Sequence, residues 1–486
     1  MKNVVNIKTS KFNYFIILII PILFFVTDGL NVWGDFWFTV TEGKYVLQNG
    51  FPHTVPFTIY NNLDFVYQSW GTGVIFYLMH KYFGLYGILF FTMVILLFIT
   101  YFYYKLCMLV SNNNKMLSSI VTIVTMSFLS IFFITTRPQI FTYLNLVLVL
   151  YIMELYTKTN NKKYLLYLPL ISLIQINMHG MFFFMLFIFM LPYIVNALKF
   201  SFKDDSQERY DLKPIILIMI IMFLTGVINP YGIRNVLYVF TSYGQDILNK
   251  TIGELYPLSS SFLTGKIVIF MIFLVYILYL KCKKVPIRYY LLLFGTTYLA
   301  FDCYRSVALF VIASLFPLSY LYKNKIPNID IERFIPKKLK KSVIILFLSM
   351  LIFTIIFTEK KFYPDVKEPV DYIVKHYDVE KVKLYNYIDD GSYTIYKGLK
   401  GNIDCRAEVF LKKNNHKKDI YKEIIDLKNG IIYYNDYLEK YKFTHLLVSK
   451  KDHIYDKLRK NSYNYTLIKS YNHYDIYIRN DLIIKK

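Results

Sequence analysis

The stretch LIQINMHGMFFFMLFIF, residues 173–189, sets Gln175, Asn177 and His179 among side chains otherwise suited to lipid. Polar groups in hydrocarbon are costly, so a reason for them must lie elsewhere in the chain. Around this stretch the sequence reads as membrane protein. Of 486 residues, 55% are hydrophobic and 19% aromatic, with mean hydropathy +0.37. Apolar runs of roughly 17–22 residues, the length that crosses a ~30 Å hydrocarbon core, recur through the first three quarters. The spacing predicts about eleven spans, near 12–30, 84–105, 116–135, 139–156, 164–178, 181–199, 213–229, 265–281, 287–301, 305–322 and 341–358. Of these, 164–199 and 287–322 each also read as one kinked unit. The first run has a basic start but no small-x-small cleavage site, so it is expected to remain as a span.

Charge distribution orients the expected bundle. With the N-terminus cytoplasmic, the inner segments carry about 23 Lys and Arg and the outer loops about six. That bias places the segment 359–486 outside. The formal charge of +23 comes with abundant Lys, Asn, Ile and Tyr, a pattern of A+T-rich codons, and so argues for no nucleic-acid partner. Four cysteines are too few for a disulfide framework, and free thiols are expected. No nucleotide-binding fingerprint is present, which speaks against a soluble nucleotide-sugar donor.

The tail is more polar than the spans. KVKLYNY and FTHLLVS read as strands, EPVDYIVKHY and KDIYKEIIDLK as amphipathic helices, and SYNHYDIYIRN as a final turn and strand. The expected architecture is mostly α: a polytopic helical membrane domain, 1–358, with a small α/β extracytoplasmic domain, 359–486. A long first outer loop, 28–83, belongs to the membrane domain.

The outer turns are polar in a way the inner ones are not. They read TDGLNVWGDFWFTVTEG (27–43), TTRPQIF (135–141), INMHGM (176–181), INPYGIRN (228–235) and FDCYRS (301–306), whereas the inner turns are plainly basic. A lone Arg or His at a span end is commonly a snorkelling or capping group, and Arg137-Pro138 and Asn229-Pro230 also read as helix boundaries. The concentration on one face points to a site. A carboxylate there can act as general base on an acceptor hydroxyl. The planar fork of arginine suits a phosphate leaving group. A phosphate met at the lipid boundary is expected to be carried by a lipid. Asp28, Asp35, Glu42, Arg137, Gln139, Asn177, His179, Asn229, Arg234, Asp302 and Arg305 are the groups expected to converge there. Trp37, Glu42, Trp70, Asn177 and Asn229 are candidate substrate contacts, although Trp33, Trp37 and Trp70 also suit a membrane-interface belt.

Along most of its length the sequence resembles the bacterial integral-membrane glycosyltransferases of type C. The resemblance is carried by DFWFTVTEGKYVLQNGFPHTVPF (35–57), QSWGTGVIFYLMHKYFGLYGI, TRPQIFTYL, NMHGMF, INPYGIRN, CYRSVALF and, in the tail, LYNYIDDGSYTIY and GNIDCRAEVF. It implies a polyprenyl-phosphate sugar donor, an envelope glycan, lipid or protein acceptor, and action on the outer side of the cell membrane. By it, Asp35 would be the first-loop carboxylate that activates the acceptor as catalytic base or binds a metal, with Asp28 in reserve, and Arg137, His179, Arg234 and Arg305 would be lipid-phosphate contacts. No cofactor is fixed by the residues; a divalent cation, Mg²⁺ or Mn²⁺, is the one the resemblance raises. Three positions depart from the pattern: Val55 and Gly73 stand where Asp and Glu are usual, and Thr39 where a His is common. The alternatives are a transporter or flippase of lipid-linked intermediates, and an inactive partner in envelope polysaccharide assembly. Transport is disfavoured because no carboxylate is read well inside a span and the polar groups sit at one rim. Asp404 and Arg406 are expected to form a structural ion pair.

Overall fold

The structure is a computed structural model that describes residues 10–28, 32, 34–198, 210–357 and 362–483, without the side chains of Asp28, Ile331 and Ile483. Its helices begin with α1 (Lys11–Asp28), α2 (Gly34–Asn49), α3 (Trp70–Val110), α4 (Lys115–Phe132) and α5 (Gln139–Thr159). These are followed by α6 (Leu168–Met178), α7 (Phe183–Ala197), α8 (Leu212–Thr225) and α9 (Ile233–Ser242). Local chemistry sets several boundaries. The Asn114 side chain accepts from Leu117 N at the start of α4, and Pro138 precedes α5, where a missing N–H costs nothing. Asn160 ends α5 in the left-handed region. Within α3, Gly84 breaks helical geometry at φ 63°, where the sequence expects a span to begin after an amphipathic segment.

Seven described helical stretches are long and apolar enough to cross a membrane: Trp70–Val110, Lys115–Phe132, Gln139–Thr159, Gly180–Ala197, Leu263–Leu280, Tyr304–Leu321 and Lys337–Phe357. The larger number expected from hydropathy adds four shorter elements, namely α1, α6, α8 and Ile287–Asp302. The shortest, α6, has 11 residues, about 16 Å of helix. Polar turns interrupt the apolar run at His179 and Cys303, whose backbones leave the helical region (φ −157° and −147°). Both doubtful runs are therefore pairs of helices.

The chain forms two compact units. The first comprises 1–31, 88–236 and 249–360. At its centre Val307–Leu315 is buried at every residue, as a helix apolar all round must be. Lys340–Phe357 is also apolar but has no buried residue, the pattern of a helix facing lipid. The second unit comprises 32–87, 237–248 and 361–486, so residues of the first loop fold with the C-terminal stretch. It holds a five-stranded mixed sheet ordered β2-β1-β3-β5-β4. The strands are β1 (Lys383–Tyr385), β2 (Lys400–Gly401), β3 (His445–Ser449), β4 (Tyr465–Ser470) and β5 (Tyr474–Arg479). β1 is parallel to β2 and β3; β5 runs antiparallel to β3 and β4. Tyr385, Tyr437, Phe443, Leu446, Val448 and Tyr477 pack in one core cluster. The tail motifs read as strands and helices occupy β1, β3, β5, Lys367–His376 and Ile420–Lys428.

Candidate functional site

The polar groups of residues 173–189 are engaged in the first unit. Gln175 is fully buried; its amide donates to Thr142 Oγ1 (2.9 Å) and to the His179 carbonyl (2.6 Å), and accepts from Asn145 (2.9 Å). His179 Nδ1 lies 2.7 Å from Thr142 Oγ1, and its ring stacks on Phe182. When the Thr142 hydroxyl donates, the neutral imidazole carries its proton on Nε2. Asn177 donates to the carbonyls of Leu173 and Ile228. Asn229 donates to Gly226 and Gly232 and accepts from Tyr231 N. Asn235 donates to Ile176 O. Polar side chains among apolar helices satisfy one another in this way. The amides of Asn177 and Asn229, read from sequence as substrate contacts, hold the turn between α6 and residues 226–235.

Three of the four expected phosphate contacts gather at one end of these helices. Arg137, just before α5, donates Nη1 to Glu254 Oε1 at 2.5 Å. Arg305, just after Ile287–Asp302, donates Nη2 (2.7 Å) and Nε (3.2 Å) to Oε2 of the same carboxylate. The fields of both arginines reach Tyr143, and that of Arg305 reaches His179. Burial opposes the charge on Glu254, but the two guanidinium groups outweigh it and hold its carboxyl down at about 2. Arg234 is exposed and forms no ion pair among the described residues. Sequence reading passed over Glu254, whose only signal is an acidic side chain in the polar segment TIGELYP.

A second polar cluster occupies the opposite end of the same helices. Glu154, near the end of α5, is 3% exposed. It accepts from Arg288 Nε (3.0 Å) and Nη2 (3.1 Å), from Tyr193 (3.0 Å) and from Tyr289 (3.1 Å). Four donors on one carboxylate make a brace between α5, α7 and Ile287–Asp302.

In the second unit Asp35 is half-buried in the first turn of α2, where the helix dipole favours a carboxylate. Its neighbours include Asp389 and Cys405. Burial, then the charge of Asp35, pushes the Cys405 thiol up; burial foremost raises Asp389, with Asp35 adding to it. The side chain of Asp28 and all of Trp33 lie outside the described residues. Trp37 is fully buried among His80, Tyr363, Tyr393 and Tyr396, and Trp70 meets Phe51 edge-on. Glu42 takes part in a buried triad: Arg406 binds Asp404 through Nε (2.9 Å) and Nη2 (2.6 Å) and reaches Glu42 Oε1 through Nη1. One guanidinium between two carboxylates leaves a net negative charge. Burial pushes the Glu42 carboxyl up to about 7, against the pull of Arg406. The expected Asp404–Arg406 pair is therefore part of a larger group.

Gly73, where the resembled family usually has Glu, is set by packing. A Cβ there would lie 1.8 Å from Tyr67 Oη, and one at Gly43 would lie 2.0 Å from Gly73 O. The start of α3 thus approaches α2 too closely for a side chain. Val55 is buried and donates its N–H to Leu63 O. Thr39 is buried and bonds the carbonyl of Asp35.

No protein-family model matches the chain, and no curated protein does. Solved structures do match it. The oligosaccharyltransferase of Archaeoglobus fulgidus, tethered to an acceptor peptide containing the NVT sequon, superposes with TM-score 0.56 at 12% identity, over 90% of this chain and 69% of that one. The apo form gives 0.54 at 14% identity, over 90% and 70%. A complex of that enzyme with Zn and sulfate gives 0.50 at 10% identity, over 90% and 68%. The chain therefore shares the fold of that oligosaccharyltransferase over most of its length. Among the described residues no three His, Cys, Asp or Glu side chains gather to hold a metal ion. Among the described residues the donor set does not fit the cation that the resemblance raises.

Proposed function

We propose that this protein is a membrane glycosyltransferase that moves a sugar from a polyprenyl-phosphate donor to an envelope acceptor on the outer side of the cell membrane. The observation that carries this reading is the convergence of Arg137, Arg305 and His179 at one end of apolar helices, in a chain with an oligosaccharyltransferase fold. The acceptor hydroxyl attacks the anomeric carbon, through an oxocarbenium-like transition state, while the bond from that carbon to the phosphate oxygen breaks. The acceptor proton passes to the Asp35 carboxylate as general base. The electron pair leaves on the lipid phosphate, whose charge Arg137 and Arg305 offset. His179 orients that phosphate or donates to it. Asp28 is the reserve base, and Arg234 an exposed cation for the approaching headgroup. In this reading the protein is multi-pass with 359–486 extracytoplasmic.

For the transport alternative the buried carboxylate is Glu154, near the end of α5, and its four donors leave it engaged. The test is mass spectrometry of envelope glycans and glycolipids from a deletion strain complemented with wild type or Asp35→Asn at matched membrane abundance. One sugar is expected to vanish in the deletion and stay absent with Asp35→Asn. A wild-type profile with Asp35→Asn removes Asp35 as base and moves the transporter and inactive-partner readings ahead.

A further inference from the structure

Residues 323–339 join Tyr304–Leu321 to Lys340–Phe357, and their acids and cations are used differently. The first half is bonded to the start of α4. Asn114 donates to the carbonyls of Lys323 (3.1 Å) and Ile326 (2.7 Å), and Lys115 N donates to Asn328 Oδ1 (3.0 Å). Lys115 Nζ pairs with Asp330 at 3.1 Å. Glu332 pairs with Lys340, whose ammonium also lies over the ring of Phe12 in α1, 5.7 Å from its centre. Both acids of the segment are thereby engaged against the neighbouring helices. Arg333, Lys337, Lys338 and, at the start of the following helix, Lys341 are exposed and form no ion pair among the described residues. Between these cations stand two exposed apolar side chains, Phe334 at 63% and Leu339 at 52%. Such interleaving suits the boundary of a bilayer, where apolar side chains enter hydrocarbon and the charged heads stay with the headgroups. The chain then runs straight into Lys340–Phe357, which has no buried residue. The cations therefore stand where a lipid-facing helix meets the headgroup level.

We propose that residues 333–341 are a binding surface for anionic phospholipid. Arg333, Lys337, Lys338 and Lys341 hold the headgroup phosphates, while Phe334 and Leu339 enter the acyl region. The surface is separate from the polar turns at Arg137, His179 and Arg305, and it does not depend on the sugar-transfer reading. The electrostatic reason favours one lipid class. A phosphatidylglycerol headgroup carries a single negative charge, whereas the phosphate of phosphatidylcholine is offset by its own ammonium. Each Lys or Arg at an anionic surface contributes roughly fivefold in affinity. A nucleic acid or an acidic peptide would be drawn by the same cations but has no use for Phe334 and Leu339 beside a helix immersed in lipid.

The experiment measures, by native mass spectrometry, the affinities of full-length protein in detergent for dioleoylphosphatidylglycerol and dioleoylphosphatidylcholine. Their ratio is taken on one preparation, so that losses of folded protein cancel. Wild type is expected to favour phosphatidylglycerol, and less so as salt is raised. Lys337→Gln together with Lys338→Gln is expected to lower the preference by roughly twentyfold. Lys337→Arg together with Lys338→Arg, which keeps both charges, is expected to stay near wild type. Lys281 and Lys283 are exposed in another turn, and replacing both by Gln is expected to leave the ratio unchanged. No preference in wild type, an unmoved ratio in the Lys337 and Lys338 variant, or an equal fall in the Lys281 and Lys283 variant overturns the proposal.

Discussion

Replacing Glu42 by Gln is expected to stabilise the second unit at alkaline pH, although it removes one carboxylate of a buried ion triad. Glu42 is 1% exposed and Asp404 2%. Arg406 satisfies Asp404 with both faces of its fork and Glu42 with the remaining Nη1. Two buried carboxylates therefore share one cation, and Glu42 bears the cost, its carboxyl raised from 4.5 to about 7. In the folded state Glu42 holds its proton between those values, whereas in the unfolded chain it has lost it. The associated stability is complete below about pH 4.5 and is lost as pH rises through 7. The displacement corresponds to about 3 kcal/mol. Glutamine resembles the protonated acid and can still accept from Arg406. The difference between Glu42→Gln and wild type should thus be near zero at pH 5 and favour the variant at pH 8. For a unit of this size that is about 6–12 °C in Tm. Trp37 and Trp70 belong to that unit, so intrinsic fluorescence of the full-length protein in detergent reports its melting. Taking the difference removes the other titrating groups, among them Asp390 and His445. Arg406→Met should act oppositely, costing about 3–5 kcal/mol at pH 8 by leaving two buried carboxylates without a cation. A Glu42→Gln difference that does not vary with pH, or one as damaging as Arg406→Met, would refute the reasoning.

Two further outcomes follow from the helices of the first unit. Glu154→Gln removes the carboxylate charge that Arg288, 1% exposed, is bonded to. It should cost about 3–5 kcal/mol, much of it recovered in Glu154→Leu with Arg288→Met; thermal stability of the detergent-solubilised protein measures both, and a fully stable single variant would count against the brace. Thr142→Val removes the hydroxyl that joins Gln175 to His179. A loss of about 1–3 kcal/mol is expected on the same assay, and an unchanged melt would show that the chain of hydrogen bonds is not needed.

Much of the organisation was legible in local sequence. Apolar runs located the helices because a span must satisfy its own backbone over a fixed length. Alternating and amphipathic patterns located β1, β3, β5 and the tail helices for the same kind of reason. The polar turns at 135–141, 176–181 and 301–306 were visible as the places where Arg137, His179 and Arg305 interrupt apolar sequence. Hydropathy was a weaker guide to the number of long spans. It registers the apolarity of α6, α8 and Ile287–Asp302 but not where a polar turn ends a helix early.

What the turns do was decided by tertiary structure. Glu254 lies 117 residues from Arg137, and Glu42 lies 364 from Arg406; no periodicity or motif relates positions so far apart. Glu154 reads in sequence as one charge at the end of an apolar run, and only the approach of Arg288, 134 residues away, makes it a brace. Gly73 reads as a missing acid until α2 is seen against it. The sequence by itself determined which segments are apolar, where they turn and which charged groups the turns carry, since these depend on neighbours along the chain. The net charge that a cluster presents, and which polar groups are consumed in holding turns, depend on which distant segments meet in low-dielectric surroundings, where each pairing is strong.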